Sequence, residues 1–201
     1  MMFDIITIFL VGILLLFAIY TAIQFRGKFP KRTIEDVTPF LRPAEHEELE
    51  SLLDPAQEAN FRMRMSAQEF ADWQRRRIHL LREYLLRMSH NALVLIEWGN
   101  METTGTGSDA ETVIQRQLLA KELVQAATEF RLYSMLALAK LKLWLVLPSP
   151  FSLLLPSPSL PSMRRVFGID ALGSYQRLKT AASGLSLAHG LQFHDELLAR
   201  L

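Results

Sequence analysis

An uncharged apolar run near the start of the chain constrains the fold more than any other feature. Residues 5–25 read IITIFLVGILLLFAIYTAIQF and contain no acidic or basic side chain. A helix of this length rises roughly 30 Å, which matches the hydrocarbon core of a bilayer. A helix also satisfies its own backbone polar groups, as a lipid-exposed segment must. We therefore expect residues 1–25 to form a transmembrane anchor that contacts the bilayer through residues 5–25.

The charges around this run predict its orientation. Only Asp4 and the amino terminus precede it, whereas four basic residues follow: Arg26, Lys28, Lys31 and Arg32. Because basic residues near a span stay on the cytoplasmic side, we expect an outside N-terminus in a plasma or inner membrane and a cytoplasmic region from residue 26 onward. A cleaved signal peptide would need a basic start and small residues at its cleavage site, whereas residues 1–4 contain no Lys or Arg and residues 18–22, AIYTA, have no A-x-A pattern.

Composition narrows the classes of function. The chain has 201 residues and a formal net charge of +1, so no global field marks a nucleic-acid-binding protein. It has no cysteine, which excludes disulfides, thiolate metal sites and cysteine nucleophiles. The length beyond the anchor is enough for one modest domain.

Charge is distributed unevenly along that domain. Residues 33–60 are acidic apart from Arg42, whereas residues 61–90 are rich in arginine. Three interpretations stay open. The two segments are separate solvated surfaces, the acidic segment folds back on the arginine-rich helix, or the arginines contact anionic lipid headgroups.

Residues 26–65 are predicted to be a linker with one short acidic helix. Gly27, Pro30 and Pro39 interrupt the first part. Pro43 suits the first turn of a helix. Pro55 is expected to end or kink that helix.

A long antiparallel αα-hairpin is predicted over residues 66–147. Its first helix, residues 66–98, begins at a Ser66–Glu69 capping box and ends where Gly99 and Asn100 favour termination. It carries an apolar stripe at alternating steps of three and four: Ile78, Leu81, Leu85, Met88, Ala92 and Leu95. Its second helix, residues 109–147, has a similar capping box at Ser108 and Glu111, and a stripe in which small residues alternate with large ones. The predicted packing anchors are Leu81, Leu85, Met88, Phe130 and Trp144.

The end of the second helix, residues 132–147, is strongly apolar and admits three interpretations. It is a buried packing helix, an interfacial segment with Trp144 at headgroup level, or a second membrane span. Lys140 and Lys142 disfavour a span because they lie on different faces of a helix and each is costly at the bilayer centre.

The C-terminal region divides into a spacer and a helical segment. Residues 148–162 read PSPFSLLLPSPSLPS, in which the prolines exclude a regular helix, so this part is predicted to be a spacer. Residues 163–201 are predicted to form two short helices, near 169–182 and 191–200, separated by Gly184 and Gly190.

No motif in the sequence carries a recognisable reaction. His79 and Glu83 share a helix face, but two ligands do not make a metal site. Ser89 and His90 are sequence neighbours about 100° apart on a helix, which is wrong for a Ser–His hydrogen bond. The run Arg75–Arg77 spreads over several helix faces and has no aromatic ladder, so nucleic-acid binding is not expected.

The sequence therefore predicts a mainly α protein with a single transmembrane helix, a linker, a helical hairpin, a Pro-rich spacer and short C-terminal helices. We expect its hairpin to bind another protein or a second copy of itself, as a scaffold, adaptor or assembly subunit. The alternative is a peripheral lipid-binding or membrane-remodelling protein that uses residues 132–155 and the arginine-rich face. An enzyme with scattered active-site residues is the third hypothesis, although no catalytic motif, metal site or cofactor site is expected.

Overall fold

The computed structural model describes residues 32–44, 51–105, 110–146 and 171–201. These ranges are mainly helical and contain no strand, which confirms the predicted mainly α class. Within the described ranges, two 3₁₀ turns, Ile34–Asp36 and Thr38–Phe40, precede five helices: α1 Pro55–Arg64, α2 Ala67–Glu102, α3 Ala110–Val146, α4 Ala171–Leu187 and α5 Leu191–Leu198.

The predicted anchor over residues 1–25, the spacer over residues 148–162 and the capping residue Ser108 lie outside the described ranges. Within those ranges, no helix combines the length and the apolar character that crossing a bilayer requires.

The start of α2 confirms the predicted capping box. Ser66 Oγ accepts from the backbone N–H of Glu69, and Glu69 Oε2 accepts from the backbone N–H of Ser66 at 2.9 Å. The predicted end at residue 98 is wrong, because α2 continues for another turn to Glu102. Gly99 lies inside the helix, where a Cβ atom would stand 2.7 Å from Val124 Cγ2. This glycine permits the close approach of α3 and does not terminate α2.

Helices α2 and α3 pack against each other as the two arms of a hairpin. The buried residues of α3 include Ala120, Leu123, Ala127, Phe130, Ser134 and Leu141. Small residues alternate with large ones along this face, so the backbone of α2 approaches closely at Ala120 and larger side chains fill the space between.

Helix α4 packs on α3 and completes a three-helix core. The rings of Phe130 and Tyr175 are 5.1 Å apart, and both side chains are fully buried. Burial raises the pKa of Tyr175 to about 12, although the neighbouring amide of Asn91 acts in the opposite direction. Gly184 lies within α4 and does not separate two helices as predicted; the turn to α5 lies at Gly190, whose φ of 114° suits glycine.

Residues 32–42 form a strap across α2, in a region that the sequence analysis assigned to a linker. Val37 and Leu41 are buried beneath it. Asn91 Oδ1 accepts from the N–H of Arg42, and Asn91 Nδ2 donates to the carbonyl of the same residue, both at 2.8 Å. Arg32 Nε pairs with Glu97 Oε2, also at 2.8 Å. Because these contacts hold both the backbone and the side chains of residues 32–42 on α2, the strap is an integral part of the fold.

Helix α1 was not predicted from the sequence. Pro55 occupies its first turn, and Asp54 Oδ1 accepts from the N–H of Ala56 as the N-cap. Pro43 is not helical, and most of the helix predicted after it falls on residues 45–50, outside the described ranges.

Candidate functional site

An open groove lies between α1 and the N-terminal part of α2. Its volume is about 610 Å³. The lining combines an apolar floor with guanidinium groups: Leu52, Trp73 and Leu80 with Arg64, Arg76 and Arg77. A concave surface with apolar area and a few convergent charged groups is the usual form of a binding site.

Arg77 fixes the two walls of the groove to each other. Its Nη1 lies 3.0 Å from Glu58 Oε2, and the exposed fractions of the two side chains are 2% and 8%. It also donates to the backbone carbonyls of Leu52 and Asp54. Burial lowers the pKa of Arg77, while the neighbouring charges of Glu58 and Asp54 act in the opposite direction. A buried pair of this kind is held by completed hydrogen bonds, so Arg77 is structural and is not free for a ligand.

This ion pair bears on one of the three interpretations of the charge distribution. Glu58 belongs to the acidic segment and Arg77 to the arginine-rich segment, so the first folds back on the second at this point. Asp54, the next acidic residue in sequence, also lies beside Arg77, whereas the acidic side chains of residues 45–50 fall outside the described ranges.

Trp73 forms the aromatic part of the floor. Its ring centroid is 4.9 Å from that of Phe61 and 5.6 Å from that of Phe70. The guanidinium carbon of Arg77 lies 4.9 Å from the same ring, at cation–π distance. These contacts on several sides hold the indole in place. The side chain is half-buried, so its remaining exposed part is a preformed apolar surface of the groove.

Arg64 and Arg76 are the two groove cations that have no carboxylate partner among the described residues. Both are exposed, and neither forms an ion pair with any other residue in the described ranges. With the residues that the structure describes, the Arg76 guanidinium forms one hydrogen bond, to the backbone carbonyl of Asp72 at 3.4 Å.

The nearby carboxylates already have partners. The hydrogen bonds from Ser66 lower the pKa of Glu69, which is the capping residue of α2. Asp72 Oδ1 lies 3.5 Å from Arg75. Among the described residues, neither carboxylate is paired with Arg64 or Arg76, and both of these arginines are exposed.

The predicted packing anchors lie elsewhere. Leu81, Leu85, Met88 and Phe130 are buried in the interior of the helical domain, each with at most 8% of its surface exposed. Trp144 belongs to α3, but its side chain is outside what the structure describes. The sequence analysis named Arg76 and Arg77 within an arginine run and Glu69 as a capping residue, but it did not predict a groove that contains them. Phe70 and Trp73, at a spacing of three before the aliphatic stripe, offered a signal.

The side chains of a second polar cluster, near the hairpin turn, contact one another. Trp98 Nε1 donates to Glu102 Oε1 at 3.2 Å, and His189 Nε2 lies 3.3 Å from Glu102 Oε2 without hydrogen-bond alignment. Burial alone would raise the pKa of Glu102, but interactions with His189, Trp98 and Arg116 outweigh it and lower that pKa. The cluster joins the end of α2 to the turn between α4 and α5, so its role in this structure is to hold these elements together.

Ser186 and His194 are also close, with 2.9 Å between Oγ and Nδ1. The serine is fully buried and its hydroxyl donates to the carbonyl of Ser183. This geometry does not present a nucleophile to a substrate. In the ranges that the structure describes, no three side chains are grouped as metal ligands.

No family model, curated protein or solved structure matches the chain. Function is therefore argued from the site alone.

Proposed function

We propose that the chain is a membrane-anchored protein whose cytoplasmic helical domain mediates protein–protein interaction, as a scaffold, adaptor or assembly subunit. The observation that carries this proposal is the open groove between α1 and α2. It presents an aromatic floor and two exposed guanidiniums that form no ion pair with the residues that the structure describes.

The chemistry of the groove favours binding over catalysis. Arg77, Glu58 and Glu69 are engaged in holding the walls and the helix start. Arg64 and Arg76 carry guanidiniums, which stay protonated and bind carboxylates through paired hydrogen bonds. Such groups recognise a partner, and neither can serve as a general base at neutral pH.

The anchor part of the proposal rests on the uncharged run over residues 5–25 and the basic residues after it. Because the chain has no cysteine, single cysteines report topology without background. In intact cells, Met2→Cys should react with a membrane-impermeant maleimide, whereas Gln115→Cys should react only after permeabilisation. Equal labelling of both positions in intact cells would contradict the orientation.

The interaction part is tested by crosslinking the tagged full-length protein in native membranes, followed by purification and mass spectrometry. A partner recovered in near-equal amount, or a crosslinked homo-oligomer, supports the proposal. Recovery of the uncrosslinked chain with lipid alone contradicts it and favours the lipid-binding alternative.

A further inference from the structure

We propose that the groove between α1 and α2 binds an acidic peptide segment of a partner protein, with one bulky apolar side chain on Trp73 and carboxylates on Arg64 and Arg76. This inference rests on the proposed function and adds the chemistry of the partner. The two arginines belong to different helices, Arg64 to α1 and Arg76 to α2. Only the packing of α1 on α2 brings them to the same groove.

The carboxylate part follows from unmatched charge. Folding places two guanidiniums at one groove and supplies neither with a carboxylate from the described residues. The planar guanidinium matches a carboxylate through two parallel hydrogen bonds. An Asp or Glu side chain in a peptide is the ordinary protein group of that shape.

The apolar side chain of the proposed peptide is inferred from the apolar surface that stays exposed on the groove floor. Leu80 keeps 46% of its surface exposed, and Trp73 is only half-buried although three groups surround it. Covering this surface with a Leu, Ile, Phe or Trp side chain removes apolar area from water. Large apolar and aromatic anchors of this kind dominate binding where a pocket is already formed.

The charge pattern favours a peptide over a membrane surface. Glu69 and Asp72 stand in the same groove as the two arginines, so positive and negative groups alternate there. Recognition of anionic lipid rests on clusters of about four to eight basic residues on one surface. A peptide can place its carboxylates on the arginines and keep them away from Glu69 and Asp72, which a continuous anionic surface cannot do. The groove volume, about 610 Å³, also suits a few side chains of one segment.

The test is a selection from a library of short random peptides. The bait is the full-length protein in nanodiscs of phosphatidylcholine, and empty nanodiscs serve for counter-selection. We expect selected peptides to be enriched in Asp and Glu beside large apolar residues. Selection of peptides without this acidic enrichment, or of none at all, would overturn the inference.

The selected peptides are then measured by fluorescence anisotropy against groove variants. Arg64→Glu combined with Arg76→Glu should weaken binding by about a hundredfold, since each charge-assisted contact is worth about tenfold. The matched control is Arg82→Glu, an exposed arginine of α2 that does not line the groove, and it should leave the affinity within about twofold. An unchanged affinity in the double variant would overturn the inference. Circular dichroism establishes that each variant is folded.

Two further comparisons separate the possible ligands of the arginines. Arg64→Lys with Arg76→Lys keeps the charge and removes the fork geometry, so we expect an intermediate affinity. Sedimentation with phosphatidylserine vesicles, lost in the double Glu variant, would instead identify a lipid surface as the ligand and overturn the peptide assignment.

Failure of this inference is distinguishable from failure of the proposed function. If the crosslinked partner from native membranes is captured equally by the wild type and the double Glu variant, the protein is an interaction module that does not use this groove. If no partner is captured by the wild type, the proposed function itself fails, whatever the peptides show.

Discussion

The two ends of helix α2 lie in opposite environments. No residue of 67–76 is buried, whereas every residue of 91–99 except Leu93 is buried. The C-terminal end is enclosed by α3, the strap and the α4–α5 turn, with all-round contacts at Asn91, Trp98 and Gly99. Among the described residues, the N-terminal end is covered by α1 and the residues just before it, through the buried pair of Arg77 and Glu58 and the hydrogen bond from Arg77 to the carbonyl of Leu52.

This contrast separates residues that make the fold from residues that are free to bind. At the closed end, polar side chains such as Asn91 and Glu97 form hydrogen bonds and ion pairs within the domain. At the open end, α1 is held mainly through Arg77 and the Phe61–Trp73 contact, and apolar and cationic groups remain on the surface. We therefore expect substitutions at the closed end to change global stability, and substitutions at the open end to change local order and binding.

The largest effect on stability should come from Phe130→Ala. This fully buried side chain packs on Tyr175 and links α3 to α4. Removing it leaves a cavity, with an expected loss of about 3–5 kcal/mol in the free energy of unfolding. Urea denaturation measures this, with Leu118→Ala, 61% exposed on the same helix, as the control. Equal losses in the two variants would contradict the assignment of the core.

Asn91→Ala should have the next largest effect. It leaves the part-buried N–H and C=O of Arg42 without the side chain that pairs with both, at an expected cost of about 2 kcal/mol. Proteolysis within the strap should also become faster. His90→Ala, which removes an exposed contact with the carbonyl of Phe40, is the matched control and should cost less than half as much. A larger loss for His90→Ala would show that Asn91 does not hold the strap.

Alanine substitutions at two glycines should change the stability of the protein in opposite directions. Gly99→Ala places a Cβ atom 2.7 Å from Val124 Cγ2 and 3.2 Å from the carbonyl oxygen of Ala120, so it should destabilise the protein by about 1–2 kcal/mol. Gly184→Ala meets Leu119 at an ordinary 3.5 Å and should stabilise α4 by about 0.5–1 kcal/mol. Thermal unfolding of both variants measures the difference, and the same sign in both would contradict the close approach of α3 at Gly99.

Arg77→Met should act locally. It leaves Glu58 buried without its partner, which costs about 3 kcal/mol for the docking of α1. Hydrogen exchange in α1 should accelerate by about a hundredfold, because each 1.4 kcal/mol corresponds to tenfold. The free energy of global unfolding should change by less than about 1 kcal/mol, since the core at the other end is untouched. A global loss as large as that of Phe130→Ala would show that the two ends unfold as one unit.

The smallest effect should be the pH dependence due to Glu102. Its pKa is lowered in the folded protein, so its ionised form stabilises the fold above the ordinary pKa of 4.5. That contribution is lost as the pH falls below 4.5 and through the folded pKa. The stability difference between wild type and Glu102→Gln should therefore shrink in this acidic window. A stability difference that grows as the pH falls would contradict the lowered pKa of Glu102.

Local signals predicted much of the secondary structure. The Ser66–Glu69 spacing marked the start of α2 because both partners of a capping box lie within one turn. The aliphatic stripe from Ile78 onward marked the buried face by its periodicity. Helix α1 was missed because Pro55 was interpreted only as an end, although proline also suits a first helical turn.

The strap and the groove were not predictable in the same way. The docking of the strap depends on Asn91 meeting the backbone of a residue 49 positions away, and no local pattern encodes that contact. The stopping tendency of Gly99 was overridden by packing against Val124, a tertiary contact. The groove needs Arg64 and Arg76 from two helices, so it becomes visible only when α1 is placed on α2.

The most direct measurement of the central claim is site-specific photo-crosslinking in native membranes. A photoreactive amino acid replaces Gln57 in the groove wall or Gln115 on the surface of α3; both are exposed glutamines on helices. The account predicts a discrete protein adduct from position 57 and none from position 115. An adduct from position 115 alone, or lipid as the only product at position 57, would contradict a protein-binding groove at the open end of α2.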